Sequence, residues 1–192
     1  MLIKDIAQLL LTEIKQRSTL VLAIDGRCAA GKTTLAARLA ELCDCNVIHM
    51  DHFFLRPEQR TKERLAQAGG NVDRERFMEE VLKPLKAGKA FTYRSFDCHQ
   101  MSFAKEIEIL PAPVVIIEGA YSCHPEFVQS WDLTIFIDID QEEQLRRIEQ
   151  RNGADQVPVF EKRWIPMEED YFKAFQVKEH CRLLLRQPMH GR

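Results

Sequence analysis

The sequence predicts an α/β fold, a three-layer α/β/α sandwich with a mainly parallel sheet, and three observations predict it. Short β-branched apolar runs alternate along the chain with longer runs of helical periodicity. One of them, Val114-Val115-Ile116-Ile117, is continuously apolar, as a strand covered on both faces must be. A glycine-containing loop, Gly26-Arg27-Cys28-Ala29-Ala30-Gly31-Lys32-Thr33, stands between the first apolar run and the helical run that begins there and continues with Thr34.

The elements follow in order. Residues 2–16 read as a helix with Ile3, Ile6, Leu9, Leu10 and Ile14 on one face. Residues 20–25 form the first strand, residues 32–43 the helix after the loop, and residues 46–51 a second strand. The strongly charged stretch 56–68 is expected to be helical and to end at Gly69-Gly70. Asp73 takes the N-cap position of a helix carrying Phe77, Val81, Leu82 and Leu85, which Gly88 stops. Short strands are expected at 90–94 and 106–110, then full strands at 114–118 and 133–138. Helices over 141–151 and 160–178 and a last strand over 181–185 complete the chain. No internal repeat, low-complexity tract or linker interrupts it, so residues 1–192 read as one domain.

The loop carries the most specific signal. It matches G-x-x-x-x-G-K-[ST], and a strand on one side with a helix on the other aims several backbone N–H groups and a helix N-terminus at one point. Gly26 to Thr34 therefore form a phosphate-binding loop. Lys32 reaches the β- and γ-phosphates of a nucleoside triphosphate, and the Thr33 hydroxyl is placed to ligate Mg²⁺. Cys28, inside the loop, is either a thiol sensitive to oxidation or a small filler.

In an open α/β sheet ligands bind beyond the carboxyl ends of the strands. The second strand ends at Asp51, and the third long strand ends at Glu118 followed by Gly119. If these strands are neighbours, Lys32, Thr33, Asp51 and Glu118 share one rim, with Thr33, Asp51 and Glu118 as candidate metal ligands. The alternatives are a capping carboxylate at Glu118 and an Asx turn at Asp51. A basic group, Arg146, Arg147 and Arg151, lies on the helix before Asn152-Gly153, with Arg163 further on. Arg147 and Arg151 are four residues apart and share a face. They suit a lid over the phosphates, or a solvated face paired with Glu142, Glu143 and Glu149.

Bulk properties narrow the class. The apolar and charged fractions, 45% and 29%, are those of an ordinary soluble globule. A net charge of −2 gives no basic surface for nucleic acid. No apolar run approaches the ~20 residues needed to span a bilayer, and the start of the chain is unlike a signal peptide. The six cysteines show no C-x-x-C pair, which favours reduced thiols and a cytoplasmic location over a zinc or disulfide framework.

Taken together, Gly26–Thr34, Met50-Asp51-His52-Phe53-Phe54, Val72-Asp73, Ser95-Phe96-Asp97, Ile116-Ile117-Glu118-Gly119 and the arginine-bearing helix resemble the uridine kinase and phosphoribulokinase group of P-loop NTPase-fold kinases. The likeness is strongest to its short bacterial uridine kinase-like members and covers most of residues 20–155. It implies transfer of the ATP γ-phosphoryl group, with Mg²⁺, to a hydroxyl of a small nucleoside-like acceptor. Asp51 would orient and deprotonate that hydroxyl, while Phe53, Asp73, Tyr93, Asp97, His99 and Glu118 would belong to the acceptor side. Residues of about 52–110 would form the acceptor-binding insertion and about 141–165 the lid, with Lys32, Asp51, Arg147 and Arg151 as catalytic residues. Three departures stand out. The base-reading histidine of uridine kinases is displaced, with Met101 near its place and His99 off it. The lid is shorter. The segment Arg163-Trp164-Ile165-Pro166-Met167-Glu168 has no counterpart.

Other readings remain open at this level. A regulatory ATPase would use the same loop for conformational change, and kinases acting on nicotinamide riboside, pantothenate or a sugar phosphate share it too. A GTPase switch would need an Asn-Lys-x-Asp segment, which is absent. The oligomeric state is open, a homo-oligomer among the options.

Overall fold

The computed structural model describes residues 11–12 and 19–187. The helix expected over 2–16 lies outside them except for Leu11 and Thr12, which are helical. Five strands form one fully parallel sheet: β1 (Leu20–Gly26), β2 (Cys45–His49), β5 (Val114–Glu118), β6 (Leu133–Asp138) and β7 (Leu183–Arg186), in the order β2-β5-β1-β6-β7. β1 is central. It pairs with β5 from Leu20↔Val114 to Ile24↔Glu118 and with β6 from Leu22↔Leu133 to Gly26↔Ile137. Among the described residues two further strands, β3 (Phe91–Asp97) and β4 (Ser102–Ile109), form a separate antiparallel hairpin.

Alternation along the strands makes two cores. Leu22, Ile24, Ile116 and Ile135 face helix α1 (Lys32–Ala40) through its Leu35, Ala36 and Leu39. Ala23, Ile117 and Phe136 face the other way, into a cluster with Phe53, Phe77, Tyr93, Phe127, Tyr171 and Phe172. Every residue of β5 is buried, as its continuous apolar run requires.

Several expected boundaries shift for local reasons. The second strand ends at His49, and Met50–Phe53 coils into a 3₁₀ turn, so Asp51 stands on that turn rather than on the strand. The charged stretch 56–68 is not one helix. A 3₁₀ turn at Pro57–Gln59 is followed by one α turn, α2 (Lys62–Leu65), capped by the Thr61 hydroxyl. Its arginines hold the chain folded instead: Arg60 donates to Leu55 O, and Arg64 to Gly70 O, Val72 O and Glu75.

Asp73 does cap a helix, accepting the Arg76 N–H. That helix, α3, is α-helical over Arg74–Phe77, widens to a π turn over Met78–Leu82, and returns to α over Lys83–Lys86. The C-terminal helix repeats the pattern as α5: Val157–Val159, a π turn at Phe160–Trp164, then Ile165–Ala174. In both cases the wide turn directly precedes a proline at the second position of the resumed α turn, Pro84 or Pro166. Proline has no N–H for the carbonyl four residues back and its ring crowds that carbonyl, which the wider turn relieves. α5 stops near Phe175 because Gln176 is left-handed (φ 48°), and α6 (Val177–His180) follows, so the expected 160–178 helix starts earlier and is broken. Between β6 and α5 lies α4 (Gln141–Asn152), capped by Asp140 and ended at Gly153.

Candidate functional site

The loop is built from β1 outward. Gly26 has φ +135°, and a Cβ there would lie 2.1 Å from the backbone oxygen of Ile137, so only glycine lets β1 leave the sheet this close to β6. Gly31 is left-handed (φ 97°) and starts α1 with no side-chain cap. Among the described residues no hydrogen bond engages the N–H groups of Gly31, Lys32 or Thr33. Unpaired N–H groups at a helix start are the donors an anionic phosphate needs, so the loop fits one. Lys32, only 9% exposed, donates to Gly26 O (2.7 Å) and Arg27 O (2.8 Å) within the loop.

Because β5 lies between β1 and β2, the acidic residues do gather beside the loop. Thr33 Oγ1 lies 3.2 Å from both carboxylate oxygens of Glu118, which is buried and also bonded to His49 Nδ1. Glu118 raises the His49 pKa through that hydrogen bond. Gly119, φ +135°, lets the chain turn past Met50, whose Cβ would be 2.9 Å from an added Cβ. Asp51 is open to solvent at its surface and walled in by protein on its other sides. That desolvation, then the Glu118 charge, raises its carboxyl above the ordinary value, while Lys32, His49 and Arg151 act to lower it. The four expected rim residues thus lie within electrostatic reach of one another. Among the described residues no group of three or more His, Cys, Asp or Glu could hold a metal unaided. The Thr33 hydroxyl and Glu118 carboxylate suit Mg²⁺ only in company with nucleotide phosphates and water, its usual manner of binding beside a phosphate loop.

The acceptor-side residues separate into two groups. Phe53 and Asp73 are fully buried. Phe53 packs on Phe77 and Tyr93 under the Arg76 guanidinium, and the Asp73 carboxylate is engaged by Arg76 N–H and Arg56 Nε. Tyr93 is 1% exposed, and its hydroxyl meets His52 Nδ1 at 3.1 Å. Burial, then His49 and Lys105, lowers the His52 pKa to about 4, so it is a neutral partner. Asp97 and His99 sit at the tip of the β3–β4 hairpin, where Asp97 accepts the N–H groups of His99 and Gln100 and fixes the turn.

On α4, Arg147 pairs with Glu143 (2.7 Å) and reaches the loop at Ala29 O (3.4 Å). Arg146 shares the same Glu143, as the paired-face reading expected. Arg151 is exposed, bonded to Asn152, and 5.9 Å from the Phe160 ring centre. Arg163 lies over Trp164.

Sequence reasoning missed five residues around the loop. Gln144 donates to Cys28 O (3.2 Å) and lies 3.1 Å from its sulfur. Burial, then Glu168, pushes the Cys28 thiol up to about 12, which keeps it protonated near neutrality and favours the filler reading. Asp25, buried, accepts from Gly26 N, Cys123 N and Tyr171 OH. Glu169 grips Arg27, and Glu168 accepts the Cys28 N–H. A polar residue ending an apolar strand could have flagged Asp25; adjacent acids on a helix give no such signal. A cleft of about 390 Å³ lined by Arg27, Phe136, Asp138, Glu169, Phe172 and Lys178 lies behind this contact, and none of Lys32, Thr33, Asp51 or Glu118 lines it.

A parallel sheet with this loop at the end of its central strand, Glu118 at the end of the neighbouring strand and Asp51 on the turn after the next is the architecture of the P-loop kinases. A sequence profile of the Phosphoribulokinase / Uridine kinase family matches residues 21–171, and the chain belongs to that family. Solved structures with the same fold include a possible uridine kinase from Bacillus stearothermophilus (20% identity, TM-score 0.70, covering 95% of this chain and 96% of that one). A candidate fructose transport system kinase from Silicibacter sp. TM1040 (23%, 0.66, 98% and 100%) and the D-glycerate 3-kinase of Cryptococcus neoformans var. grubii serotype A (13%, 0.64, 98% and 97%) share it as well. No curated protein matches the sequence.

Proposed function

We propose that this kinase transfers the γ-phosphoryl group of ATP to a hydroxyl of a small nucleoside-like acceptor. The observation that carries the reading is the grouping of Lys32, Thr33, Glu118 and a solvent-accessible Asp51 at one end of the sheet. The unpaired N–H groups of Gly31 to Thr33 and the Lys32 ammonium would hold the β- and γ-phosphates. Thr33 and, through water, Glu118 would hold Mg²⁺, which when bound neutralises charge on the phosphate oxygens. Asp51 would accept the acceptor's hydroxyl proton, and its raised pKa makes it a stronger base than an ordinary carboxylate. Arg147, already against the loop, and Arg151, within reach of Asp51, would offset charge on the group in transfer.

Polyols and hydroxy acids are the second acceptor class, favoured by the names of the fructose and glycerate kinases that share the fold. The deciding experiment follows ATP consumption and product mass with nucleosides, sugars, sugar phosphates and hydroxy acids, beside an acceptor-free control. A phosphorylated nucleoside supports the reading. A phosphorylated sugar or hydroxy acid instead moves the acceptor class, and hydrolysis unaffected by every acceptor favours a regulatory ATPase.

A further inference from the structure

The C-terminal helix α5 holds the end of β1 and the phosphate loop at Asp25, Arg27 and Cys28, and one contact differs in kind from the others. Tyr171 and Glu169 engage side chains, those of Asp25 and Arg27. Glu168 instead accepts a backbone N–H of the loop itself, Cys28 N, at 2.9 Å.

A carboxylate on a phosphate-loop N–H occupies the kind of donor that a nucleotide phosphate uses, and brings a second anion to the same place. Glu168 is 7% exposed, so water screens it poorly. Lys32 and Arg27 act on it, and both are committed elsewhere. Lys32 donates to the carbonyls of Gly26 and Arg27, and Arg27 is paired with Glu169 and Asp138. The acids Asp25 and Asp51 and the protonated groups of Cys28 and Tyr121 also act on Glu168.

Resting on the nucleotide-site reading above, we propose that Glu168 is a resident acidic ligand of the phosphate loop: ionised, it opposes the nucleotide's phosphates, and it takes up one proton from solvent when they bind. Burial holds its carboxyl at about 7, with Asp25 and Asp51 raising it and Lys32 and the Cys28 N–H lowering it. Both forms are therefore present near neutrality, and added phosphate charge moves the balance further toward the neutral acid. The sign follows: raising the pH ionises Glu168 in the free protein and weakens nucleotide binding.

Calorimetric binding of ADP and of a non-hydrolysable ATP analogue, with Mg²⁺ and without acceptor, tests this in buffers of different ionisation enthalpy. Wild type should take up close to one more proton per nucleotide than Glu168→Gln above neutral pH. Its affinity relative to the variant should fall by up to about tenfold per pH unit there. Equal proton counts and parallel pH dependences in the two proteins overturn the proposal. If Glu168→Gln does not fold, the carboxyl carbon resonances of ¹³C-Glu-labelled wild type serve instead. One Glu titrating near neutrality should move to higher pKa on nucleotide addition, and no such shift overturns it equally. A wild type that binds no nucleotide at any pH defeats the nucleotide-site reading itself.

Discussion

Lys32 is held inside the loop by two carbonyls, so its ammonium is presented to the loop's interior without a competing carboxylate bond. Lys32→Ala should lower turnover by ~10²–10³, about 3–4 kcal/mol of transition-state stabilisation, with the circular dichroism of a folded protein. Near wild-type turnover in the folded variant would remove the loop from the chemistry. Asp51→Asn should cost roughly 10²–10⁴ in turnover while leaving Mg²⁺·nucleotide affinity nearly unchanged, since Asn keeps the shape but accepts no proton. Because the Asp51 pKa is raised, the base is lost on acidification earlier than for a free carboxylate. The acid limb of kcat/KM should lie above the ordinary Asp range in wild type and vanish from the residual activity of Asp51→Asn. Lost nucleotide binding with an unmoved pH profile would instead place Asp51 among the nucleotide's ligands.

At the scale of elements, α4 carries the sharpest prediction. Arg147 touches the loop at Ala29 O, and Arg151 acts on Asp51 from one turn further on. Ala at either should reduce kcat more than ATP affinity, and the double substitution should be less than additive if they act together. A solvated face predicts changes within about 0.5 kcal/mol, so a wild-type kcat in the double variant would return the helix to that role. The periodicity that marks α4 was legible because its first turn, cap and terminal Gly153 are all local signals. The helices around Pro84 and Pro166 were legible in place but not in form. Each proline leaves a carbonyl without its donor, and whether a helix then breaks or widens depends on what it packs against. For α3 that packing is Phe77, Val81 and Leu82, all in the core, which keeps the helix continuous across the fault.

Across the whole molecule, residues far apart in sequence hold the loop. Asp25 receives donors from its own strand end, from the chain after β5 at Cys123, and from Tyr171 on α5. Tyr171→Phe leaves a buried carboxyl short of one donor and should cost about 1–3 kcal/mol in denaturant-derived stability. An unchanged unfolding midpoint would mean that the Tyr171–Asp25 bond contributes nothing net. Gly26→Ala should be worse, because its Cβ would meet the Ile137 backbone at 2.1 Å in a conformation (φ +135°) that also strains L-residues. The strain alone is worth about 1–3 kcal/mol, and the overlap with β6 adds to it; a soluble, fully stable Gly26→Ala would contradict the packing of β1 on β6.

The sequence by itself determined the phosphate loop, the alternation of strands and helices, the Asp73 cap, and the acids that follow β2 and end β5. Each is encoded within a few residues by spacing, burial period or a capping side chain. Only the tertiary structure decided that β5 inserts between β1 and β2, which brings Glu118 onto Thr33 and His49. It also withdrew Phe53 and Asp73 into the interior and set Glu168 on the Cys28 N–H, 140 residues away. Strand order and helix docking are settled by how whole faces bury against one another, and a side chain's partner across such an interface has no local signature to read.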